Sequence, residues 1–514
     1  LERREIIMEE PRGAETLRRY EEINEKIKRG DAVVMTADEF VEYAKRYGVE
    51  RAAKEVDVVT TGTFGAMCSS GAFLNFGHAD PPIKMFKCWL NDVPAYKGLA
   101  AVDAYIGATA ISETRGLEYG GGHVIEDLVS HKEIELRAEG YPTDCYPRRY
   151  VETTITIDDL NQAILVNPRN AYQRYNAATN STDRVLYTYL GTLLPRFGNV
   201  MYSGSGQLSP LYKDRWLDTI GIGTRIFLGG GVGYVIGEGT QHKPQDALAT
   251  LMVKGDLKQM KPKFLRGATI HRYGVTLYVG VGIPIPIINM RVAKSAAASD
   301  EEIFTEILDY GIPSRNRPVV RRVSYAELKS GKVLIGDREV PSSSMSSLAY
   351  AKMIAEELKK WIEEGSFLLT RPVELLPNYS EFKPMPLRRY EPKVRDVMTT
   401  KVVSARPEDG LKDVAKLIVN YGIDHVPIVD ASGRLVGIVT SWDLAKAIAL
   451  GKEKLEEIMT TRVITARPEE PLDLVVTRLQ QHRISGMPVV DGEGKLVGIV
   501  TSDDIARLLR GRPL

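Results

Sequence analysis

Apolar positions along this chain of 514 residues switch between helical and strand-like spacing. Residues 15–29 read as an amphipathic helix that Gly30 stops. Residues 32–35 read as a short apolar strand. Thr36 and Glu39 stand at capping-box spacing ahead of a second helix, which Gly48 closes. Val56, Val58 and Val59 then predict another strand. This order of helix, strand, helix, strand predicts an α/β core. Residues 150–170 read as a strand followed by a helix or turn, and residues 271–290 as adjacent strands of a buried sheet. Leu348, Ala351, Ile354, Leu358 and Trp361 share one helical face within residues 345–364, and Gly365 ends it. Prolines at 372, 377, 384, 386 and 392 mark a stiff linker over residues 372–392.

Beyond the linker the sequence repeats itself at an offset of 61. Met398-Thr399-Thr400 returns as Met459-Thr460-Thr461, and Leu435-Val-Gly-Ile-Val-Thr-Ser441 returns as Leu496-Val-Gly-Ile-Val-Thr-Ser502. A constant offset over many positions is a duplicated structural unit. The pair, over residues 393–450 and 454–511, resembles a tandem pair of cystathionine-β-synthase (CBS) domains. That resemblance implies a pseudo-twofold module with a cleft for an adenosyl ligand: S-adenosylmethionine, methylthioadenosine or an adenine nucleotide. It puts the ribose- and phosphate-binding positions on Gly437, Thr440, Asp443 and on Gly498, Thr501, Asp504. His425 and His482 lie near the motif as packing or rim residues. The default assembly it implies is a homodimer through the CBS pair.

Composition narrows the class. Apolar residues make up 43% and charged residues 26%, ordinary for a soluble globular protein of about two to four domains. A net charge of +1 gives no reason to expect a nucleic-acid partner. No apolar run reaches membrane-spanning length, and no signal peptide opens the chain. Three cysteines without a CxxC argue for a reducing cytoplasm and against a disulfide scaffold or structural zinc; no metal site is expected.

The candidate chemistry centres on residues 56–78, where the strand runs into a loop with Gly62, Gly65, Gly71 and Gly77 around Cys68, Ser69 and Ser70. Such a loop can cradle a nucleophilic or redox thiol among amide donors, and Cys68 can equally be a small buried hydrophobe. Cys145 sits in a Pro-bounded turn ahead of Arg148 and Arg149, which would favour its thiolate and hold a substrate carboxylate, or form a solvated basic turn. His78 and His123, the latter in a second glycine loop, are candidate proton carriers. The polar run Asn167, Arg169, Asn170, Tyr172, Gln173, Arg174, Tyr175, Asn176 suits reading a small polar substrate or forming a solvated helix face. Residues 229–239 are glycine-rich without being a P-loop or a dinucleotide fingerprint.

The first 370 residues are similar to the archaeal and bacterial homocysteine-biosynthesis family. The similarity rests on Glu22-Ile-Asn-Glu-Lys-Ile27, Ala32-Val-Val34, Thr61-Gly-Thr-Phe-Gly-Ala-Met-Cys-Ser-Ser-Gly71, Leu90-Asn-Asp92, Gly120-Gly-Gly-His123 and Tyr141-Pro-Thr-Asp-Cys-Tyr146. It implies a front domain over residues 1–371, mixed α/β with strand order undetermined, fused to the CBS pair. It further implies sulfur insertion into L-aspartate semialdehyde to give L-homocysteine, from sulfide or a persulfide donor, with a ferredoxin-type partner. The two functional cysteines it implies fall on Cys68 and Cys145, and no role falls on Cys88. Turning R-CHO into R-CH2-SH needs a sulfur nucleophile and two electrons. A thiolate can carry the sulfur as a persulfide, and a second thiol can release it by forming a disulfide. Cys68 is then the carrier and Cys145 the resolving thiol, or the reverse. Arg148 or Arg149 would hold the carboxylate and His78 or His123 would move protons. No tightly bound cofactor is expected in this domain. Competing readings are a non-catalytic adenosyl sensor that regulates a partner, a dehydrogenase of the IMP dehydrogenase type, and a CoA- or nucleotide-linked transferase using residues 229–239. The dehydrogenase reading conflicts with a CBS pair appended after a linker and with the absence of regular eightfold βα spacing.

Overall fold

The structure, a computed structural model, describes residues 16–386 and 391–510. Residue 15 of the first expected helix, residues 387–390 of the linker and residue 511 of the second repeat lie outside the described residues. The chain divides into two compact units, Leu1–Phe382 and Lys383–Leu514.

In the first unit the local signals of the sequence act as expected. Helix Tyr20–Arg29 buries Tyr20, Ile23 and Ile27 and ends at Gly30, whose φ of 75° suits glycine. Thr36 and Glu39 form the capping box: the Glu39 N–H donates to Thr36 Oγ1 at 3.3 Å and the Thr36 N–H to Glu39 Oε2 at 2.7 Å. Helix Ala37–Tyr47 starts there.

The alternation of helix and strand does not continue into a doubly wound sheet. Strands Val34–Thr36 and Val58–Thr60 pair in parallel, but Pro284–Pro286 adds to them antiparallel, and this sheet stops at three strands. The main sheet has nine strands. Its order is Leu265–Ile270, Gly274–Gly282, Arg225–Leu228, Gly231–Glu238, Leu251–Asp256, Gln162–Asn170, Gly71–Asn75 and Asp103–Gly107, with Thr63–Ala66 also paired to Gly274–Gly282. Every pairing in it is antiparallel. Antiparallel neighbours need no crossover helix, only a tight turn. Gly229 and Gly230 make one such turn, both at positive φ, so the 229–233 glycine run is a hairpin tip and strand start.

A six-stranded sheet runs Val319–Ser324, Phe304–Asp309, Ala177–Thr179, Val200–Tyr202, Arg338–Ser344, Lys332–Ile335. A four-stranded sheet, Tyr150–Ile155, Ile134–Gly140, Met85–Leu90, Val93–Ala95, carries Cys88 in its interior and the Cys145 loop at one end. Helix Leu348–Glu363 buries Ala351, Ile354, Ala355, Leu358 and Ile362 against the strands. The helix lies so close that a Cβ on Gly62 would stand 2.0 Å from the Ala351 carbonyl oxygen.

The linker begins later than residue 372. The Val373 N–H donates to the Ile222 carbonyl at 2.8 Å, Glu374–Leu375 pairs with Gly221–Ile222, and the buried His242 Nε2 lies 2.9 Å from the Pro377 carbonyl oxygen. These bonds hold residues 373–377 to the first unit.

In the second unit each repeat forms a helix, a hairpin and a helix: Leu411–Tyr421, His425–Val429, Leu435–Thr440, Ser441–Leu450, then Leu472–His482, Gly486–Val490, Leu496–Thr501, Ser502–Arg510. The lead-in segments are exchanged. Thr399 bridges to Ile499 and Val394 packs with Val475, Val489 and Val500, while Thr460 bridges to Ile438 and Leu455 packs with Val414 and Val426. Each core is therefore completed by the other repeat. Among the described residues no helix is long and apolar enough to cross a membrane.

Gly62→Ala forces the strand and helix Leu348–Glu363 apart, because the clash is with backbone that no rotamer change relieves. Thermal denaturation should show a loss of about 1–3 kcal/mol; an unchanged melting temperature would mean that this approach is not tight in solution.

Candidate active site

Cys68 lies in the two-residue turn between strands Thr63–Ala66 and Gly71–Asn75. The turn is fixed from three sides. The Met67 N–H donates to the Leu277 carbonyl at 2.8 Å, and the Ser70 N–H to the Met67 carbonyl at 2.9 Å. Thr276 Oγ1 donates to Cys68 Sγ at 3.3 Å. The third tie is Asn167, fully buried near the end of strand Gln162–Asn170. Its Oδ1 accepts from Ser69 Oγ at 2.9 Å and from the Arg169 N–H at 2.9 Å, and its Nδ2 donates to Ser70 Oγ at 2.8 Å. The thiol is half-buried.

Cys68 faces a cavity of about 470 Å³ between the ends of the nine-stranded sheet and residues flanking strands of the six-stranded sheet. Tyr175 precedes, and Ser203, Tyr310 and Ser346 follow, strands of that second sheet. Arg169 is the only Lys, Arg, Asp or Glu among the lining residues. Its Nε is buried and has no hydrogen-bond partner among the described residues; the same holds for Asn176 Oδ1. Phenols crowd the wall: Tyr172 and Tyr175 meet edge to face at 4.7 Å, and the Tyr189 and Tyr310 hydroxyls hydrogen-bond each other. Burial pushes Tyr175, Tyr189 and Tyr310 far above the usual phenol range, so all three stay protonated at neutral pH. A thiol, one cation and several neutral hydroxyl donors suit the binding of a small anion and the protonation of an oxyanion.

The other expected residues are elsewhere. Strand Gly71–Asn75 starts just beyond Cys68 and spans about 17 Å. His78 follows its far end and stacks on Tyr146, centroids 5.6 Å apart, which places the exposed Cys145 loop at that opposite end. A disulfide needs Cα atoms about 4.4–6.8 Å apart. Cys145 as a resolving thiol in direct contact with Cys68 is therefore not the arrangement of this chain. Arg148 is engaged as well: its Nε donates to the Pro81 carbonyl at 2.9 Å and its NH2 to that of Asp80. Arg149 is exposed on the same loop, its carbonyl accepting the Gly140 N–H at 2.7 Å. Neither arginine lines the cavity. His123 turns inward to its own helix start, Nδ1 accepting the Gly120 N–H at 3.2 Å, and burial lowers its pKa. Burial pushes the Cys88 thiol up to about 12. The polar run from Asn167 to Asn176 is strand end and cavity wall rather than a helix face. Thr276 and Tyr310 are distant in sequence and carried no signal there. Among the described residues no group of three or more His, Cys, Asp or Glu side chains is placed to hold a metal ion.

In the second unit, Asp443 and Asp504 close capping boxes at two helix starts. Asp443 Oδ2 accepts from the Thr440 N–H at 2.9 Å and Oγ1 at 2.7 Å; Asp504 Oδ2 accepts from the same two groups of Thr501, both at 2.8 Å. Asp504 Oδ1 also pairs with Arg507. Gly437 and Gly498 leave room for Met459 and Met398 of the exchanged segments, whose sulfurs would stand 2.9 and 2.7 Å from an added Cβ.

Comparison with known proteins bears on both units. Residues 32–369 match the family described as homocysteine biosynthesis enzyme, sulfur-incorporation. Residues 394–450 and 455–511 each match the CBS domain. A Methanocaldococcus jannaschii protein named L-aspartate semialdehyde sulfurtransferase is 54% identical over 511 residues, covering 96% of this chain and 99% of that one. A protein of the same name from Methanosarcina acetivorans is 53% identical over 492 residues, covering 96% and 98%. A crystal structure of a CBS domain pair in complex with 5′-methylthioadenosine and S-adenosyl-L-methionine is 45% identical, covers 24% of this chain and 100% of that one, and superposes with a TM-score of 0.24.

Iodoacetamide at pH 8 should label Cys145 first, Cys68 more slowly and Cys88 only after unfolding, as read by mass mapping of the three peptides. Labelling of Cys88 at the rate of Cys68 would contradict its burial.

Proposed function

This chain belongs to the homocysteine biosynthesis, sulfur-incorporation family, and from that membership we propose that it inserts sulfur into L-aspartate semialdehyde to give L-homocysteine, with Cys68 as the sulfur carrier. The observation that carries the assignment to Cys68 is its place in the cavity: half-buried, held by Thr276, and facing protonated phenols.

Cys68 takes the outer sulfur of a persulfide donor, whose own thiolate leaves, and the resulting Cys68 persulfide attacks the aldehyde carbon, forming the C–S bond and an alkoxide. A wall phenol gives the alkoxide its proton and regains one from solvent. Loss of that oxygen as water and cleavage of the S–S bond then release homocysteine and the Cys68 thiol. From the persulfide this takes four electrons and four protons. The cavity holds no second thiol, so we assign the electrons to an external donor, an electron-transfer protein of the ferredoxin type. Cys145, exposed at the far end of the strand, is the outer thiol at which a protein donor of sulfur or electrons engages. The reaction belongs in a reducing cytoplasm, where the three thiols stay free.

We assign the CBS pair an adenosyl ligand that adjusts this activity. Asp443 supports the reading: its Oδ2 is used in the cap, and among the described residues no hydrogen-bond donor reaches its Oδ1, which suits a ribose hydroxyl. The second repeat is less open, because Arg507 pairs with the matching oxygen of Asp504. Val419, Tyr421, Trp442 and Ile448 expose apolar side chains on helices Leu411–Tyr421 and Ser441–Leu450, which supports a homodimer through this unit.

Cys68→Ala should abolish homocysteine formation from a persulfide donor, and Cys88→Ala should leave it unchanged. Cys145→Ala should lose activity with a protein donor yet keep most of it with a small-molecule persulfide and a small dithiol. Full activity of the folded Cys68→Ala protein would end this reading. In titration calorimetry with S-adenosylmethionine and methylthioadenosine, Asp443→Asn should weaken binding at least tenfold and more than Asp504→Asn does. Equal losses would remove the distinction between the repeats.

A further inference from the structure

Among the described residues that line the cavity, Arg169 is the only Lys, Arg, Asp or Glu. A guanidinium does not give up its charge, and an N–H of it that is buried without a partner is costly even on a half-buried side chain. The Nε of Arg169 is buried with no partner among the described residues. Its own N–H is bonded to Asn167 Oδ1, the atom that also accepts from Ser69 next to Cys68. The cation and the thiol are thus set by one amide. Tyr172 senses both, its pKa raised first by burial, lowered by Arg169 and raised by Cys68. Asn176 Oδ1, also buried and unpartnered, offers an acceptor on the same wall. Arg174 does not compete: it lies 3.9 Å from Glu306 and is not a lining residue.

We propose that Arg169 binds the carboxylate of the substrate and makes the Cys68 site select α-amino-acid aldehydes over aldehydes lacking a carboxylate. A carboxylate brings the missing partner through charge-assisted hydrogen bonds. Asn176 Oδ1 accepts from the ammonium group, and the aldehyde end is left to Cys68. The proposal rests on the sulfur-insertion reading and replaces Arg148 and Arg149, whose loop lies at the other end of strand Gly71–Asn75.

The test compares wild type, Arg169→Lys and Arg169→Gln, as the full chain, on L-aspartate semialdehyde and on 3-aminopropanal, the same aldehyde without its carboxylate. For L-aspartate semialdehyde, Arg169→Gln should raise KM about ten- to hundredfold with a smaller change in kcat. Arg169→Lys should recover part of the loss. For 3-aminopropanal, kcat/KM should be the same in all three. An equal fall on both substrates would make Arg169 a support of the thiol loop and overturn the proposal, as would no change on either. A second readout needs no turnover: L-homoserine should slow iodoacetamide labelling of the Cys68 peptide in wild type and fail to do so in Arg169→Gln. If wild type forms no homocysteine, the sulfur-insertion reading falls, and this labelling alone decides the role of Arg169: equal protection, or none in wild type, rejects it.

Discussion

The site depends on one buried amide. Asn167 sits where strand Gln162–Asn170 leaves the main sheet, and its two polar ends hold Ser69, Ser70 and the Arg169 backbone. A buried amide left without partners is expensive, so the three bonds stand or fall together. Their effect is to lock a two-residue turn that carries a thiol onto the strand that carries the cavity's cation. The hydroxyls of Ser69 and Ser70 are both engaged in this lock.

The glycines around Cys68 serve packing more than ligand binding. Gly62 gives way to the Ala351 carbonyl of helix Leu348–Glu363, and Gly71 to Tyr105 and the Ile106 carbonyl. Gly65 alone of these three lines the cavity, where its missing Cβ leaves space beside Ser346 Oγ. Close backbone approach brings the nine-stranded and six-stranded sheets near enough for residues far apart in sequence, Cys68 and Tyr310 among them, to share one wall. The cavity's charge follows from the same packing: carboxylates are kept off the wall, so a single guanidinium sets its sign.

In the second unit the two carboxylates proposed for ligand binding also cap helices. Asp443 and Asp504 each spend one carboxylate oxygen on a helix start, which fixes the direction of the other. Exchange of the lead-in segments makes each repeat's core depend on its twin, so the two helix starts are built by a shared structure. Duplication does not keep them equal, because Arg507 pairs with Asp504 while the counterpart position in the first repeat is Lys446, which forms no ion pair with Asp443.

Much was legible in the sequence because it is local. A capping box, a glycine stop and a helical stripe concern residues within one or two turns, and Thr36, Gly30 and helix Leu348–Glu363 appear where those signals put them. The repeat was legible because duplication copies local pattern. Cys68 was legible as a thiol in an unusual loop. Strand order was not, since antiparallel pairing of Gly71–Asn75 with Gln162–Asn170 is a long-range choice made by burial on a whole sheet face. The same limit governed the site. Two arginines beside Cys145 are conspicuous in sequence, yet the geometry ties one to backbone carbonyls and leaves both off the cavity wall, while Arg169, one of eight polar residues in a run, lines the same cavity as the thiol. Sequence determines which side chains can do the chemistry; only the packed chain decides which of them are near each other, because that depends on distances closed by residues a hundred or more positions apart.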